Sequence, residues 1–306
     1  MPIQPVEVVW VNGELVPWDQ AKVHVLTHAL HYGTGVFEGI RCYETVRGPA
    51  LFRLREHLER MHRSAKIFLM DIPYGVDELR AATHDLIRAN GLRSCYVRPL
   101  AFRGYGEMGV NPERNPVDVV IAVWPWGSYL GEEALRNGVR MTVSSWRRHD
   151  PNIIPPQAKV TGAYINSVVA KVEATRRGFD EAVMLNPQGY VSEATGENLF
   201  VVKDGELVTP PLAAGPLPGI TRDSVITIAN DLGMQVFERM LTRADLYLAE
   251  EMFCTGTAAE VTPVREIDDR VIGPPGPVTQ AIQQRYFAIV KGEDGKHADW
   301  LDHVEL

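Results

Sequence analysis

The stretch Ser192-Glu193-Ala194-Thr195-Gly196-Glu197-Asn198-Leu199-Phe200 passes from a polar turn of small residues into an apolar run. The ordinary interpretation is a loop that leads into a β-strand. The functional interpretation is that one of the two carboxylates, Glu193 or Glu197, is aimed into a site, where it stabilises a cation such as a protonated ring nitrogen. These residues alone leave both interpretations open.

Lys159 is the lysine whose surroundings are unusual. It ends the charge-poor run Pro155-Pro156-Gln157-Ala158-Lys159, and its small or apolar neighbours predict burial. Burial disfavours the ammonium form, so such a lysine is competent as a nucleophile or a proton shuttle. The alternative is an ordinary structural or surface lysine.

Two other stretches of small residues are candidates for binding an anion. Leu217-Pro218-Gly219-Ile220-Thr221-Arg222-Asp223 is predicted to open a helix with Thr221 as its N-cap, and a helix N-terminus attracts phosphate. An ordinary capped helix is the alternative. Thr255-Gly256-Thr257-Ala258-Ala259-Glu260 offers hydroxyls and backbone N–H groups to a ligand. The sequence contains no dinucleotide or Walker-type glycine motif.

Composition excludes several classes of protein. The 306 residues carry 31 Lys and Arg against 39 Asp and Glu, a net charge of −8, which argues against a general nucleic-acid binder. No apolar run reaches the roughly 18 residues of a membrane helix, and the first residues do not resemble a signal peptide. Three cysteines, Cys42, Cys95 and Cys254, do not form a disulfide or zinc pattern, and the histidines are interpreted as structural, so no metal is expected. We expect a soluble protein of a reducing cytoplasm.

The pattern of elements predicts an α+β fold. Asn12-Gly13 and Asp204-Gly205 are typical of the turns of β-hairpins. We expect a small N-terminal α+β domain over residues 1–126, an interdomain linker over 127–138 and a large C-terminal domain over 139–306. Apolar periodicity and end signals predict helices near residues 56–69, 76–90, 164–177, 221–232 and 277–290.

Taken together, these motifs resemble the branched-chain amino acid aminotransferases, within the fold-type IV group of pyridoxal-phosphate enzymes. The resemblance runs from about Trp10 to Trp300. It implies a two-domain architecture like that of D-amino acid aminotransferase, with a small α/β domain and a larger β-barrel-like domain. The motifs that carry it are His28-Ala29-Leu30-His31-Tyr32-Gly33, Val36-Phe37-Glu38-Gly39-Ile40-Arg41, Tyr96-Val97-Arg98-Pro99, Gly109-Val110-Asn111-Pro112, Gly196-Glu197-Asn198-Leu199-Phe200, Pro218-Gly219-Ile220-Thr221-Arg222 and Gly256-Thr257-Ala258-Ala259-Glu260.

The resemblance implies pyridoxal 5'-phosphate as cofactor. Lys159 would form the Schiff base and act as catalytic proton shuttle, Glu193 would pair with the pyridine nitrogen, and Tyr164 would hydrogen-bond the ring phenolate oxygen. Arg60 would clamp the phosphate with backbone amides at the helix start. The cofactor-binding residues implied in this way are Arg60, Lys159, Tyr164, Glu193, Leu217, Gly219, Ile220, Thr221, Gly256 and Thr257.

The same resemblance implies a substrate site. Amides of Thr257 and Ala258, with the hydroxyl of Tyr96, would receive the α-carboxylate, and Arg98 would receive the distal carboxylate of glutamate. The implied substrate-binding residues are Tyr32, Phe37, Gly39, Tyr96, Arg98, Met108, Val110, Trp126, Tyr129, Tyr164, Thr257 and Ala258. In the family, Tyr32, Met108 and Val110 reach the pocket of the neighbouring subunit. A homodimer is therefore the expected minimal unit, and a homohexamer built as a trimer of dimers is the larger alternative.

The implied activity is a reversible ping-pong transamination (EC 2.6.1.42), the last step of branched-chain amino acid biosynthesis. L-Leucine, L-isoleucine or L-valine would leave as its 2-oxo acid, and 2-oxoglutarate would return as L-glutamate. A D-amino acid aminotransferase and an aminodeoxychorismate lyase of the same fold are the alternatives, but Phe37-Glu38-Gly39-Ile40-Arg41 resembles the branched-chain pattern more closely. The chain departs from the family at Thr161-Gly162-Ala163 and at Ala194-Thr195, while Lys159, Tyr164 and Glu193 stay in place.

Overall fold

A computed structural model describes residues 3–127 and 130–306. The strands, in chain order, are β1 Val8–Val11, β2 Glu14–Pro17, β3 Gly35–Phe37, β4 Ile40–Thr45, β5 Gly48–Phe52, β6 Cys95–Arg103, β7 Val117–Trp124, β8 Val139–Val143, β9 Glu181–Leu185, β10 Val191–Ala194, β11 Asn198–Lys203, β12 Glu206–Thr209, β13 Val236–Glu238, β14 Glu251–Gly256, β15 Glu260–Ile267, β16 Arg270–Val271 and β17 Leu301–His303. The α-helices are α1 His28–Tyr32, α2 Leu54–Ile67, α3 Val76–Ala89, α4 Glu132–Asn137, α5 Tyr164–Arg176, α6 Ile220–Asp231, α7 Arg243–Tyr247 and α8 Pro277–Val290. These bounds confirm the five predicted helices to within a few residues.

The chain divides into two compact units. Unit 1 comprises Met1–Trp126, Ala158–Ala163 and Ile289–Leu306, and unit 2 comprises Gly127–Gln157 and Tyr164–Ala288. This partition follows contacts rather than a single cut after residue 126, because residues 158–163 and 289–306 pack with the N-terminal part of the chain. Within the stretch predicted as a linker, residues 132–137 form α4, which belongs to unit 2.

Unit 1 is built on one antiparallel sheet. Its strand order is β17-β5-β4-β6-β7-β1-β2, and β3 pairs with β6 beside this path. The predicted hairpin is confirmed: β1 and β2 pair around Asn12 and Gly13, both of which have positive φ, as a two-residue hairpin turn requires. β17 closes the far edge of the sheet by pairing Leu301 with Phe52.

The core of unit 1 lies between one face of this sheet and the helices α2 and α3. Successive side chains of a strand point to opposite faces, so Cys95, Val97 and Val123 fall on the core side. Leu58 and Met61 of α2 meet them, fully buried. Each such aliphatic side chain contributes roughly 1.5–3 kcal/mol to folding through its burial. The opposite face of β6 and β7 points away from this core.

Unit 2 is built on a second, mixed sheet with the order β10-β9-β8-β15-β14-β11-β12-β13, to which β16 adds at β15. β8 runs parallel to both of its neighbours, β9 and β15, whereas β11, β14 and β15 pair antiparallel. The predicted hairpin at Asp204-Gly205 joins β11 and β12, again with positive φ at both turn residues. A separate core forms around buried side chains such as Val183, Leu199, Met252 and Val264.

Across the described residues, no helix is both long and apolar enough to cross a membrane.

Candidate active site

Lys159 lies in unit 1, on a short segment that packs between β3 and α2. The Phe37 amide donates to the Lys159 carbonyl at 3.1 Å, and the Lys159 amide donates to Ser64 Oγ at 3.0 Å. Val160 forms a bridge with Val36. Ala158 and Val160 are buried, while Lys159 itself is half-buried, so the predicted burial holds for its neighbours more fully than for the lysine. Backbone contacts thus fix the Lys159 Cα on both sides.

Glycines allow the segment after Lys159 to approach the end of α1. Gly33 has φ +65°, and a Cβ built on it would lie 2.7 Å from the Cα of Gly162. Thr161 Oγ1 donates to the Gly33 carbonyl at 2.8 Å, and the Gly162 amide donates to the same oxygen at 3.2 Å. The departure Thr161-Gly162-Ala163 is therefore accommodated by contacts within unit 1.

The face of the unit 1 sheet that points away from the core carries aromatic side chains and an arginine. Tyr96 faces Trp124 across β6 and β7, and Arg98 lies two residues along from Tyr96 on the same face. The Arg98 guanidinium carbon is 4.8 Å from the centre of the Phe37 ring, and Lys159 Nζ is 5.0 Å from the same centre. The structure therefore brings the predicted residues Lys159, Phe37, Tyr96 and Arg98 together around one ring.

Two more predicted substrate residues join this face. The Trp126 ring packs against that of Tyr96 at an angle of 42°, with 4.9 Å between ring centres. The Tyr96 hydroxyl lies so close to the backbone of Gly39 that a Cβ there would be 1.8 Å from it. Only glycine fits at position 39, which places a backbone segment directly beside the hydroxyl predicted to receive a carboxylate.

Arg60 is held by a buried carboxylate on the neighbouring segment. Its Nε and Nη2 each donate to Glu38 at 2.7 Å, and His57 Nδ1 bonds Glu38 at 2.7 Å. Burial alone would raise the pKa of Glu38, but the Arg60 guanidinium and the hydrogen bonds from Arg60 and His57 hold it well below its usual range. Burial lowers the pKa of His57, against the opposing effect of Glu38. A neutral His57 therefore donates to an ionised Glu38, and Arg60, the residue predicted to clamp a phosphate, is ion-paired in this structure.

His57, Arg60 and Ser64 belong to one face of α2, since they are spaced three and four residues apart. All three are buried, and they contact Glu38 or the Lys159 segment. α2 therefore presents an apolar stripe to the core and a polar stripe to the candidate site. The sequence periodicity predicts the apolar stripe and gives no signal for the polar one.

Tyr32, Met108 and Val110 lie on the surface of unit 1, with exposures of 46%, 45% and 86%. His28 is fully buried and ties this region together, because its ring nitrogens bond Thr34 Oγ1 at 2.8 Å and the Gly109 carbonyl at 2.7 Å. His28 is thus structural, as predicted. Tyr129, the remaining predicted pocket residue, lies outside the described residues.

In unit 2, Glu193 is fixed at both carboxylate oxygens. Arg148 Nη2 donates to Oε1, and Asn198 Nδ2 and the Leu217 amide donate to Oε2 at 3.2 and 3.1 Å. Glu193 is 4% exposed. The three hydrogen-bond donors and the burial hold the Glu193 carboxylate in one orientation. A carboxylate that pairs with a bound cation needs to be held in this way. The sequence did not predict the role of Arg148, because the basic run Arg147-Arg148-His149 gives no sign of a distant partner. It also gave no role to Asn198.

Asn198 also links Glu193 to the start of α6. Its Nδ2 donates to the Leu217 carbonyl at 2.9 Å, and its Oδ1 lies where a Cβ on Gly219 would approach to 2.0 Å. The N-cap of α6 is Gly219, not Thr221, so that prediction is wrong. Thr221 is a buried residue of the first turn, because the helix begins at Ile220. A glycine cap lets the backbone of this helix end pack against Asn198.

The hairpin between β14 and β15 carries Thr257 and Ala258 in its turn. Gly256 approaches the Gly196 carbonyl so closely that a Cβ would lie 3.3 Å from it. Beside this contact Glu197 is buried, and burial together with the charge of Glu181 raises the pKa of Glu197 to about 8. Unit 2 therefore gathers Glu193, Leu217, Gly219 and Gly256, the last beside the turn that carries Thr257 and Ala258. Tyr164 is the first residue of α5 in the same unit.

Three comparisons with known proteins bear on this site. Residues 35–267 match the family model described as amino-transferase class IV. The chain is 52% identical over 307 aligned residues to the branched-chain-amino-acid aminotransferase of Escherichia coli (strain K12), covering 99% of each protein. Two crystal structures of the T.th. branched-chain amino acid aminotransferase also match. The structure with pyridoxamine 5'-phosphate has a TM-score of 0.96 and 51% identity, and the complex with N-(5'-phosphopyridoxyl)-L-glutamate has 0.94 and 50%. Both cover 99% of this chain and 100% of the other.

Proposed function

We propose that this chain, which belongs to the amino-transferase class IV family, is a pyridoxal-phosphate-dependent branched-chain-amino-acid transaminase. It would pass the amino group of L-leucine, L-isoleucine or L-valine to 2-oxoglutarate and return L-glutamate and the branched-chain 2-oxo acid. The observation that carries the proposal is the likeness to the Escherichia coli enzyme, which extends over 99% of both proteins.

The residues present fit a pyridoxal phosphate group. Glu193 is an immobilised buried carboxylate suited to a ring nitrogen, and the glycine-capped start of α6, which packs against Asn198, offers backbone amides suited to a phosphate. Lys159 offers an amine beside an aromatic wall in unit 1. When bound, the cofactor supplies an electron sink for the bond broken at the substrate Cα.

Each residue then has a role in the proposed reaction. Lys159 would hold the cofactor through its amine and move a proton at the substrate Cα, and Glu193 would keep a proton on the ring nitrogen. Tyr164 would donate to the ring oxygen, and Arg60, with amides of Ile220 and Thr221 and with Thr257, would hold the phosphate. The other proposed cofactor-site residues are Leu217, Gly219 and Gly256.

The substrate would be oriented by its carboxylates. The amides of Thr257 and Ala258 and the Tyr96 hydroxyl would receive the α-carboxylate. Phe37 and Trp126 offer apolar contact to a branched side chain, and Arg98 offers a cation to a distal carboxylate. The proximity of Phe37, Tyr96, Arg98 and Trp126 on one sheet face supports a pocket that accepts both kinds of side chain.

The first test is a half-reaction with purified protein. We expect the visible absorbance of the bound cofactor to change on addition of L-leucine and to return on addition of 2-oxoglutarate. A response to D-alanine with none to L-leucine would instead favour a D-amino acid aminotransferase.

A second test is the variant Lys159→Ala. It should retain the cofactor only non-covalently and lose nearly all turnover. Normal turnover of that variant would remove Lys159 from the proposed role.

We also propose a homodimer as the minimal active unit, with a homohexamer as a larger assembly. Exposed apolar side chains at Leu30, Tyr32, Met108 and Val110 support a surface of unit 1 that a second copy covers. A cytoplasmic location belongs to the same proposal, and the free thiols of Cys42, Cys95 and Cys254 are consistent with it.

A further inference from the structure

The buried donors Nε of Arg98 and Nε1 of Trp124, on the aromatic face of unit 1, have no acceptor among the described residues. Trp124 is 8% exposed, so water does not readily replace a protein acceptor. A buried N–H without an acceptor costs free energy, and such a group in a folded protein calls for an explanation.

The donors belong to one local cluster. Trp124 faces Tyr96 across the two strands, with 5.1 Å between ring centres. The guanidinium carbon of Arg98 is 5.3 Å from the Tyr96 ring centre and 6.0 Å from that of Trp124. Arg98 is therefore surrounded by aromatic rings, and the hydrogen bond that the structure gives it is a long one, 3.5 Å, to the Tyr96 hydroxyl.

This cluster also lacks a negative charge. No carboxylate among the described residues forms an ion pair with Arg98, whereas Arg60 and Arg148 have Glu38 and Glu193 as partners. Arg98 is partly buried and its Nε is fully enclosed, so a guanidinium without a counter-ion has a cost here that a ligand carboxylate would reduce. A carboxylate has two oxygens, so it can accept from the guanidinium and from a second donor at once.

We propose that Trp124 is a specificity-determining residue whose Nε1–H donates to the distal carboxylate of glutamate and 2-oxoglutarate, beside Arg98. The inference rests on the proposed transaminase function, and Trp124 is not among the residues that the family resemblance assigns. The indole would serve both substrates, because its ring gives apolar contact to a branched side chain and its N–H meets only the dicarboxylate.

The test is Trp124→Phe, which keeps an aromatic ring and removes the N–H. We expect kcat/KM for L-glutamate and 2-oxoglutarate to fall roughly 10- to 100-fold, the loss expected for a hydrogen bond to a charged group, while the L-leucine values stay within about threefold. Retained leucine turnover also shows that the variant is folded. Trp10→Phe is the matched control, since Trp10 is equally buried but lies in the core of unit 1.

A binding measurement separates this inference from the function on which it rests. Calorimetric titration with glutarate should show weaker binding to Trp124→Phe than to the wild type or to Trp10→Phe. Unchanged glutarate binding, or equal losses for leucine and glutamate, would overturn the role of Trp124. A wild-type protein that transaminates neither substrate would instead end the proposed function, while the glutarate comparison would still decide whether Trp124 recognises a carboxylate.

Discussion

Glu38 and Glu197 are both buried glutamates, but their neighbours give them opposite charge states. Glu38 accepts hydrogen bonds from Arg60 and His57, and their effect outweighs burial, so its pKa stays low. Glu197 accepts one backbone hydrogen bond, from Gly196 at 3.1 Å, and its pKa rises to about 8 because of burial and the nearby Glu181. A buried glutamate is therefore an ionised counter-ion at position 38, in unit 1, and a neutral acid at position 197, in unit 2.

Replacing Glu38 should destabilise the protein strongly. Glu38→Gln leaves the Arg60 guanidinium buried without its counter-ion, which costs about 3–5 kcal/mol in the free energy of unfolding. Urea denaturation of the cofactor-free protein measures this. The control is Glu44→Gln, because Glu44 pairs with Arg93 on the surface, and it should cost less than about 1 kcal/mol. Similar losses for the two variants would contradict the importance of the buried pair.

Glu197 should make stability depend on pH. Since its pKa in the folded protein lies above the ordinary 4.5, the folded state binds more protons than the unfolded state between pH 4.5 and about 8. Its contribution to the free energy of unfolding therefore falls as pH rises through that range, by up to about 1.4 kcal/mol per pH unit. We expect the stability of the wild type relative to Glu197→Gln to decline from pH 5 to pH 8 in denaturant titrations. A difference that does not vary with pH would show that Glu197 is ionised in the folded protein.

At the scale of elements, close backbone approaches place the candidate site residues. The start of α6 packs against Asn198, which in turn holds Glu193, so a helix end and a carboxylate share one support. Gly219 permits this contact because it has no side chain. Sequence patterns identify Gly219 as part of a helix opening, but the partner that makes glycine necessary appears only in the fold.

Gly219→Ala tests this support. The added Cβ would approach Asn198 Oδ1 to 2.0 Å, and Asn198 cannot move without weakening its bonds to Glu193 and to the Leu217 carbonyl. We expect affinity for pyridoxal phosphate, measured by titration of the cofactor-free protein, to fall roughly 10- to 100-fold, as misplacement by about 1 Å often causes. Gly295→Ala is the control, because a Cβ there meets nothing within 4 Å. Unchanged affinity in Gly219→Ala would mean that the helix end does not position the cofactor.

Local chemistry explains which parts of the fold could be predicted. The turns at Asn12-Gly13 and Asp204-Gly205 and the ends of α3 and α5 follow from neighbouring residues, and the structure confirms them. Sequence patterns do not separate β4 from β5 within the β-rich N-terminal region, since these strands are defined by pairing rather than by alternation. In the site, Ser64 contacts Lys159 across 95 residues and Arg148 contacts Glu193 across 45. Such pairs leave no local signal, whereas long motifs that resemble a family identify residues one by one.

At the scale of the whole molecule, the net charge of −8 contrasts with proposed ligands that all carry a carboxylate or a phosphate. We therefore expect recognition to be local, through Arg98, through an ion-paired Arg60 and through backbone amides. The overall charge would slow the approach of the ligands with a net negative charge, such as 2-oxoglutarate and pyridoxal phosphate, an effect that salt reduces.

Assembly gives a prediction at this scale. Val110→Asp puts a charge into the surface that a second copy is proposed to cover, so we expect the dimer to dissociate and turnover to fall at least about tenfold, since burying an unpaired charge is costly. Light scattering after size-exclusion chromatography measures the mass. Val271→Asp is the control, because Val271 is similarly exposed, at 81% against 86%, but lies in unit 2. If Val110→Asp keeps the mass and turnover of the wild type, this surface is not the interface.

The position of β17 affects the order in which a ribosome can deliver a finished protein. β17 supplies the edge partner of β5, and the carbonyl of Trp300 accepts the amide of Arg53 at the start of α2. Synthesis proceeds from the N-terminus, so β5 is made long before its edge partner β17. Until Leu301 has been made, β5 remains an unpaired edge on the nascent chain, open to pairing with other polypeptides. Chaperones that shield strand edges during translation would therefore matter more for unit 1 than its early place in the chain suggests.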